Sequence, residues 1–314
     1  MRELTSSDPA DLDVLVIGGG AAGLNGALQL VRQRRRVLVL DAGHPRNAPA
    51  AHAHGMLGHD GINPLELLQR GRAEIESYGG LIRRAEVADA RAEGEGFVVT
   101  TADGITLTAR RLLIASGVTD RLPEIPGLAE RWGRDVVHCP YCHGWEVRDT
   151  RIVVIGSTPG AAHQALLFSQ LSSDVTLVDH GAAPEAEQAR LLTAAGVRSV
   201  DGPVARVLTE ADAITGVLLA DGTTADADTL TVQSRAEITA PFLAGLGLVP
   251  QEHPSGMGSF VPSGLGGATD VPGVHVAGNV TDLSAQVGAA AAQGAMAGAV
   301  INADLVMKDA AART

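Results

Sequence analysis

Short runs rich in Val, Leu and Ile recur along the chain, and several end at a glycine cluster. The first spans 13–17. After Asp13, apolar residues follow one another there without polar alternation, which predicts a parallel strand covered on both faces. Gly18-Gly19-Gly20-Ala21-Ala22-Gly23 follows, then a helical stretch over 24–32 and a second strand over 37–40 that ends at Asp41. A similar strand, turn and helix begin at Arg151 and lead to a strand ending at Asp179. Between the two units lies a β-rich segment with a turn at Asp103-Gly104 and a strand over 112–115 that enters Ser116-Gly117. After the second unit come a hairpin-like stretch over 217–220 with Asp221-Gly222 and a strand over 229–232. The chain closes with "GVHVAGNVTD" and an Ala-rich helix, its last residues 308–314 expected to fray.

The first unit is a complete dinucleotide-binding pattern. Gly18 permits the tight turn, Gly20 lets the backbone approach a pyrophosphate, and Gly23 lets helix and strand pack closely. Asp41, at the next strand end, is placed for a ribose hydroxyl. The second copy is defective. Gly156 and Ala161 keep the outer positions, but Thr158 replaces the middle glycine and Pro159 follows it. A side chain there obstructs the close approach, and proline removes an amide donor. Asp179 suits an unphosphorylated ribose, and no arginine follows it until Arg190, so nothing receives a 2′-phosphate.

Both cysteines of the chain fall in "HCPYCHGWE", with His138 before Cys139 and His143 after Cys142. A zinc site would need a second ligand pair, and there is no other cysteine. C-x-x-C flanked by histidines at a strand-to-helix junction is where thiolates are stabilised, so a redox dithiol is expected. Composition narrows the setting. A net charge of -12 disfavours nucleic acid and anionic membranes as partners. The polar, acidic N-terminus has no signal-peptide pattern. The most membrane-like stretch, 287–306, is built of Ala and Gly and interrupted by Gln293, Asn302 and Asp304. It predicts a buried helix packed closely on a sheet, and a cytoplasmic protein. His44, His52, His54 and His59 cluster in a Pro- and Ala-rich loop, which is expected to line the dinucleotide or substrate pocket, each histidine's role open. Asn63 caps a helix that Pro64 opens.

Taken together, Gly18, Gly20, Gly23 and Asp41, "IASGVTDRLPEIPG", the C-x-x-C just before the second glycine loop, and "VHVAGNVTD" with "QVGAAAAQGAMAG" resemble the low-molecular-weight thioredoxin reductase family of flavoproteins. The resemblance covers nearly the whole chain. It implies an α/β fold of two Rossmann-like nucleotide-binding domains, of FAD and NAD(P) type, in three-layer ββα arrangement. FAD is implied over 1–118 and 239–314, with an NAD(P)-type domain over 119–238 inserted. The cofactor contacts implied are Gly18, Gly20, Ala22, Gly23, Asp41, Gly117, Gly278, Asn279, Gln286 and Val287. Asn279 stands where the family usually has Asp; it keeps an acceptor, so FAD is still expected. The family also implies a homodimer.

H-C-x-x-C-H-G together with "HPRNAPAAHAHGMLGHDG" is similar to the dithiol oxidases of the gliotoxin and holomycin type. That similarity implies oxidation of a small-molecule dithiol to a disulfide, with electrons passed through FAD to O2 to give H2O2. It makes Cys139 the interchange thiol, Cys142 the thiol that meets the flavin, and His138 the base, with Asp282 as its partner acid. For His138 the alternative is a residue that merely ends a strand; for Asp282 it is a helix N-cap. The alternative function is a thioredoxin-disulfide reductase fed by NAD(P)H or a protein electron donor.

Overall fold

The computed structural model describes residues 12–314. The N-terminal stretch expected to lack a signal peptide lies almost wholly outside the described residues. The chain divides into two compact units. Unit 1 holds residues up to Ala48, Gly55–Thr119 and Ala236–Thr314. Unit 2 holds Asp120–Arg235 and the short segment Pro49–His54. These bounds differ from the expected 118/119 and 238/239 by a few residues, and 49–54 joins the second unit rather than the first.

In unit 1, β1 (Leu12–Ile17) leads into α1 (Ala21–Arg32) and β2 (Val37–Asp41). After α2 (Pro64–Ser77) come β3 (Leu81–Arg84), β4 (Val87–Glu93), β5 (Gly96–Thr101) and β6 (Thr106–Ile114). The sheet order is β3-β2-β1-β6-β5-β4, and the late strand Val274–Val276 also pairs with β6. β6 is long enough for two jobs. Its first half runs antiparallel to β5, and its second half lies parallel between β1 and the late strand. All six residues of β1 are buried. Leu15 and Ile17 enter one core, and Val14 and Val16 enter the other, beneath the helices.

Asn63 caps α2 as expected, its Oδ1 accepting from Leu65 N at 2.9 Å and Glu66 N at 3.3 Å. The last helix, Val287–Ala311, differs from expectation in two respects. Its main partner is α1 rather than a sheet. A Cβ on Gly26 would stand 2.9 Å from Gly294 O, and one on Gly298 would stand 2.6 Å from Gly26 O, so glycine on both helices sets the close crossing. The helix also continues through most of the tail expected to fray. Arg35 Nη1 reaches Asp309 at 2.6 Å, and Arg110 binds the same carboxylate. Each polar interruption is a tie: Asn302 Oδ1 accepts from Arg35 Nε at 2.7 Å, and Asp304 pairs with the buried Arg111 at 2.6 Å. The helix is long and apolar enough to cross a membrane by length and composition. In this fold, Ala291, Gly294, Ala297, Gly298, Ile301 and Leu305 are its buried stripe.

Unit 2 has a five-stranded parallel sheet in the order Arg198–Val200, Val175–Asp179, Ile152–Gly156, Thr229–Val232, Val136–Val137. A three-stranded antiparallel sheet, Val204–Glu210, Ala213–Leu219 and Thr224–Asp226, packs on one face. Helices Ala161–Phe168 and Ala186–Ala194 cover the other. Alternate residues of one strand show the layering. Val153 and Ile155 face the antiparallel sheet, and Ile152 and Val154 face the helices. This is the ββα arrangement expected from the chain.

Candidate active site

The first glycine loop is built as its sequence requires. Gly18 has φ +108°, and a Cβ there would overlap the Ala115 carbonyl. A Cβ on Gly23 would overlap the Gly18 carbonyl oxygen. Gly20, the N-cap of α1, has nothing within 4 Å of its Cβ position, and neither has Gly117, at φ +66°. Two open glycines beside a helix N-terminus form a cradle that fits a dinucleotide pyrophosphate. Asp41 closes on this loop, since a Cβ on Gly19 would stand 2.5 Å from its carboxylate. Asp41 Oδ1 accepts from Gly43 N at 2.9 Å and Oδ2 from Arg72 Nη2 at 2.7 Å. Arg72 was invisible to sequence reasoning, because it lies on α2, far from Asp41 in the chain.

The C-terminal segment closes the same cradle. Gly278, at φ +77°, sits against Ala22, with 2.9 Å between its Cβ position and Ala22 Cβ. Asn279 is more than a neutral replacement. Its Nδ2 donates to Asp282 O and Ala285 O, each at 3.0 Å, and its Oδ1 accepts from Arg46 Nη1 at 3.2 Å. A carboxylate at this position could make neither donation. Gln293, in sequence only a polar interruption of an apolar stretch, has a structural role here. It accepts from Gly278 N at 2.9 Å and donates to Asp282 Oδ2 at 2.8 Å. Gln286 and Val287 open the last helix, whose N-cap is Gln286.

Asp282 is therefore not the N-cap. Its Oδ1 accepts from Ser284 N at 3.0 Å and Ser284 Oγ at 2.7 Å. Burial works against its charge, but the bonds from Ser284 and Gln293 outweigh burial and hold the carboxyl below its ordinary value. Asp282 belongs to unit 1 and His138 to unit 2.

In unit 2, strand Val136–Val137 runs through His138 into Cys139, the N-cap of the short helix Pro140–His143. Cys139 and Cys142 form a disulfide with Cα atoms 5.2 Å apart. Cys139 O accepts from Cys142 N at 3.1 Å and His143 N at 3.0 Å. The expected strand-to-helix junction is thus where the dithiol sits. His138 does follow a strand end, and its ring is also oriented. Nδ1 lies 3.2 Å from Val232 O. A carbonyl only accepts, so a neutral His138 making this bond carries its proton on Nδ1. Gln164 Nε2 donates to His138 O at 2.6 Å and steadies the backbone there.

The histidine loop divides. His52 and His54 belong to the segment in unit 2, whereas His44 and His59 belong to unit 1. His54 Nε2 lies 3.2 Å from Glu146 Oε1. Among the described residues no group of three or more His, Cys, Asp or Glu has metal-ligand geometry. Burial pushes the His143 imidazole below its ordinary range; Glu146 opposes this and His54 adds to it. A histidine with a lowered folded pKa binds its proton more readily in the unfolded chain. Its penalty is absent above its unfolded pKa of about 6.5 and grows as pH falls below that. His143→Gln is expected to shrink the loss of melting temperature between about pH 8 and about pH 5.5, measured by differential scanning fluorimetry. An unchanged pH profile would show that His143 does not carry this penalty.

The second glycine loop is occupied by protein. Thr158 Oγ1 donates to Gln233 Oε1, and Asp179 Oδ1 accepts from Gly181 N at 2.9 Å. Arg190 forks onto Glu187, with 2.9 and 2.6 Å contacts.

An open glycine cradle, a second α/β nucleotide fold and a C-x-x-C disulfide define a flavin disulfide oxidoreductase. The family of pyridine nucleotide-disulphide oxidoreductases matches residues 12–297. Thioredoxin reductase sirT of Leptosphaeria maculans is 32% identical over 324 residues, covering 98% of each chain. The solved structure of HlmI superposes with a TM-score of 0.91 at 41% identity, covering 99% of this chain and 97% of that one. An oxidoreductase from Agrobacterium tumefaciens does so with a TM-score of 0.89 at 39% identity, covering 95% and 99%. The chain belongs to the pyridine nucleotide-disulphide oxidoreductase family, and within it to the low-molecular-weight thioredoxin reductase-like group, whose members bind FAD.

Proposed function

We propose that the protein is an FAD-dependent dithiol oxidase that closes a disulfide in a small-molecule dithiol. The observation that carries this reading is the second glycine loop. Thr158 stands where a pyrophosphate needs closeness, Pro159 lacks an amide donor, and the arginine nearest after Asp179 is paired with Glu187. The dithiol itself is retained. Losing a charge-assisted contact to a 2′-phosphate costs about 1.5–3 kcal/mol, or one to two orders of magnitude in affinity.

Gly18, Gly20, Gly23, Asp41, Gly117 and the 278–287 segment are the residues that would hold FAD. Bound there, FAD supplies a two-electron acceptor that links the enzyme dithiol to oxygen, with hydrogen peroxide as the reduced product. His138 Nε2 takes the proton of one substrate thiol. The thiolate attacks Cys139 Sγ, a mixed disulfide forms, and the Cys139–Cys142 bond breaks with its electron pair on Cys142. The second substrate thiol then attacks the substrate sulfur of the mixed disulfide and expels Cys139 as the leaving thiolate, which takes up the proton that this thiol loses. The substrate leaves as a disulfide, and the enzyme holds two electrons in its Cys pair. The pairing of Asp282 with protonated His138 that the oxidase resemblance implies belongs to the proposal. A homodimer and a cytoplasmic setting belong to the same proposal.

The test is steady-state turnover. A small dithiol such as dithiothreitol is expected to be oxidised with matching oxygen uptake and peroxide release, and NADPH or NADH with thioredoxin to give little turnover. Nicotinamide oxidation of order 10 per second would overturn the reading and favour the reductase.

A further inference from the structure

Strand Thr229–Val232 lies parallel to Ile152–Gly156, with Val232 opposite Ile155. Gln233 is thus the first residue beyond the strand end, at the carboxyl ends of the strands, where an open α/β fold takes a dinucleotide. Its side chain turns over the second glycine loop and accepts from Thr158 Oγ1. A Cβ on Gly160 would stand 2.7 Å from Gln233 Nε2 and 3.0 Å from its Cδ. Gly160 is the N-cap of helix Ala161–Phe168, so the carboxamide lies on the first turn of that helix. The loop's amide at Ala161 is already bonded to Thr158 O at 3.1 Å.

We propose that Gln233 is an internal occupant of the second nucleotide site and the residue that sets its selectivity against nicotinamide dinucleotides. Gly160 caps its helix as Gly20 caps α1, although the glycine pattern matches Gly20 with Thr158; the carboxamide fills the space over that cap, which stands open at Gly20. Thr158 anchors it, so the substitution that breaks the glycine pattern also supplies the hydroxyl that holds the plug. A pyrophosphate could enter only by displacing a hydrogen-bonded group from a half-buried loop, at the cost of that bond. The inference shares this loop with the oxidase reading but is tested by binding alone. It can fail while dithiol turnover stands, and a reductase fed by a protein donor would carry the same plug.

The experiment titrates flavin-loaded enzyme with oxidised NAD, which cannot reduce the flavin, by calorimetry. Wild type is compared with Thr158→Gly, Gln233→Gly and Gln233→Ser. Flavin absorbance and melting temperature confirm that each variant is folded; the serine variant guards against backbone loosening by glycine. Both Gln233 variants are expected to bind roughly fivefold or more tightly than wild type, the effect of one hydrogen-bonded group. Thr158→Gly, which removes the anchoring hydroxyl but leaves the carboxamide over Gly160, is expected to gain less than either Gln233 variant. A smaller gain in both Gln233 variants, or the whole gain from Thr158→Gly alone, would overturn the proposal.

Discussion

Cys139→Ser and Cys142→Ser are each expected to lower dithiol oxidation by about 10⁴-fold or more, as loss of a covalent nucleophile does, yet to differ in colour. The two sulfurs sit in different local settings. Cys139 caps the short helix from its N-terminal side, and Cys142 lies inside the helix. In the proposed mechanism Cys139 exchanges with substrate and Cys142 is the thiol that hands on electrons. With Cys139 replaced, Cys142 remains as a free thiolate and should give a long-wavelength charge-transfer band with oxidised flavin. With Cys142 replaced, that band should be missing. Absorbance spectra of the two purified variants decide it, and reversed colours would exchange the two roles.

Gly20→Val and Gly23→Val are expected to fail in opposite ways although they stand three residues apart. Gly20 has an ordinary φ of -79° and open space around its Cβ position. The valine variant should fold with a near-native melting temperature and lose FAD affinity by roughly two orders of magnitude, the equivalent of about 3 kcal/mol of clash with the bound group. Gly23 is closed by the Gly18 carbonyl, so its valine must push α1 away from β1. That change strikes the folded unit itself, by about 3 kcal/mol or more. Flavin-to-protein absorbance ratios and thermal melts separate the two outcomes. A Gly20→Val protein that keeps stoichiometric FAD would refute the assignment of this loop as the cofactor cradle.

What the sequence alone determined is whatever depends on a few neighbouring residues. Unbroken apolar runs specify strands buried on both faces, as in β1 beyond Asp13 and in Ile152–Gly156. Glycine at fixed offsets specifies a turn that no side chain allows, and Asn63 before Pro64 specifies a helix start. The same local logic exposed the break at Thr158-Pro159 and placed Cys139 at a helix cap. These features rest on backbone sterics and short-range hydrogen bonds, whose reach is about one helical turn.

Only the tertiary structure decided which distant side chains meet. It set the last helix against α1, because glycines on both helices permit contact that Ala and Gly composition alone does not assign to a partner. It sent 49–54 into unit 2 and divided the histidine cluster. Arg72 on Asp41, Arg46 on Asn279, Val232 O beside His138 and Gln233 over Gly160 each join residues at least 31 positions apart. Such contacts depend on strand order and helix direction. Neither periodicity nor spacing encodes them, because a polar residue's own identity says what it can bond and nothing about which segment folding will bring to it.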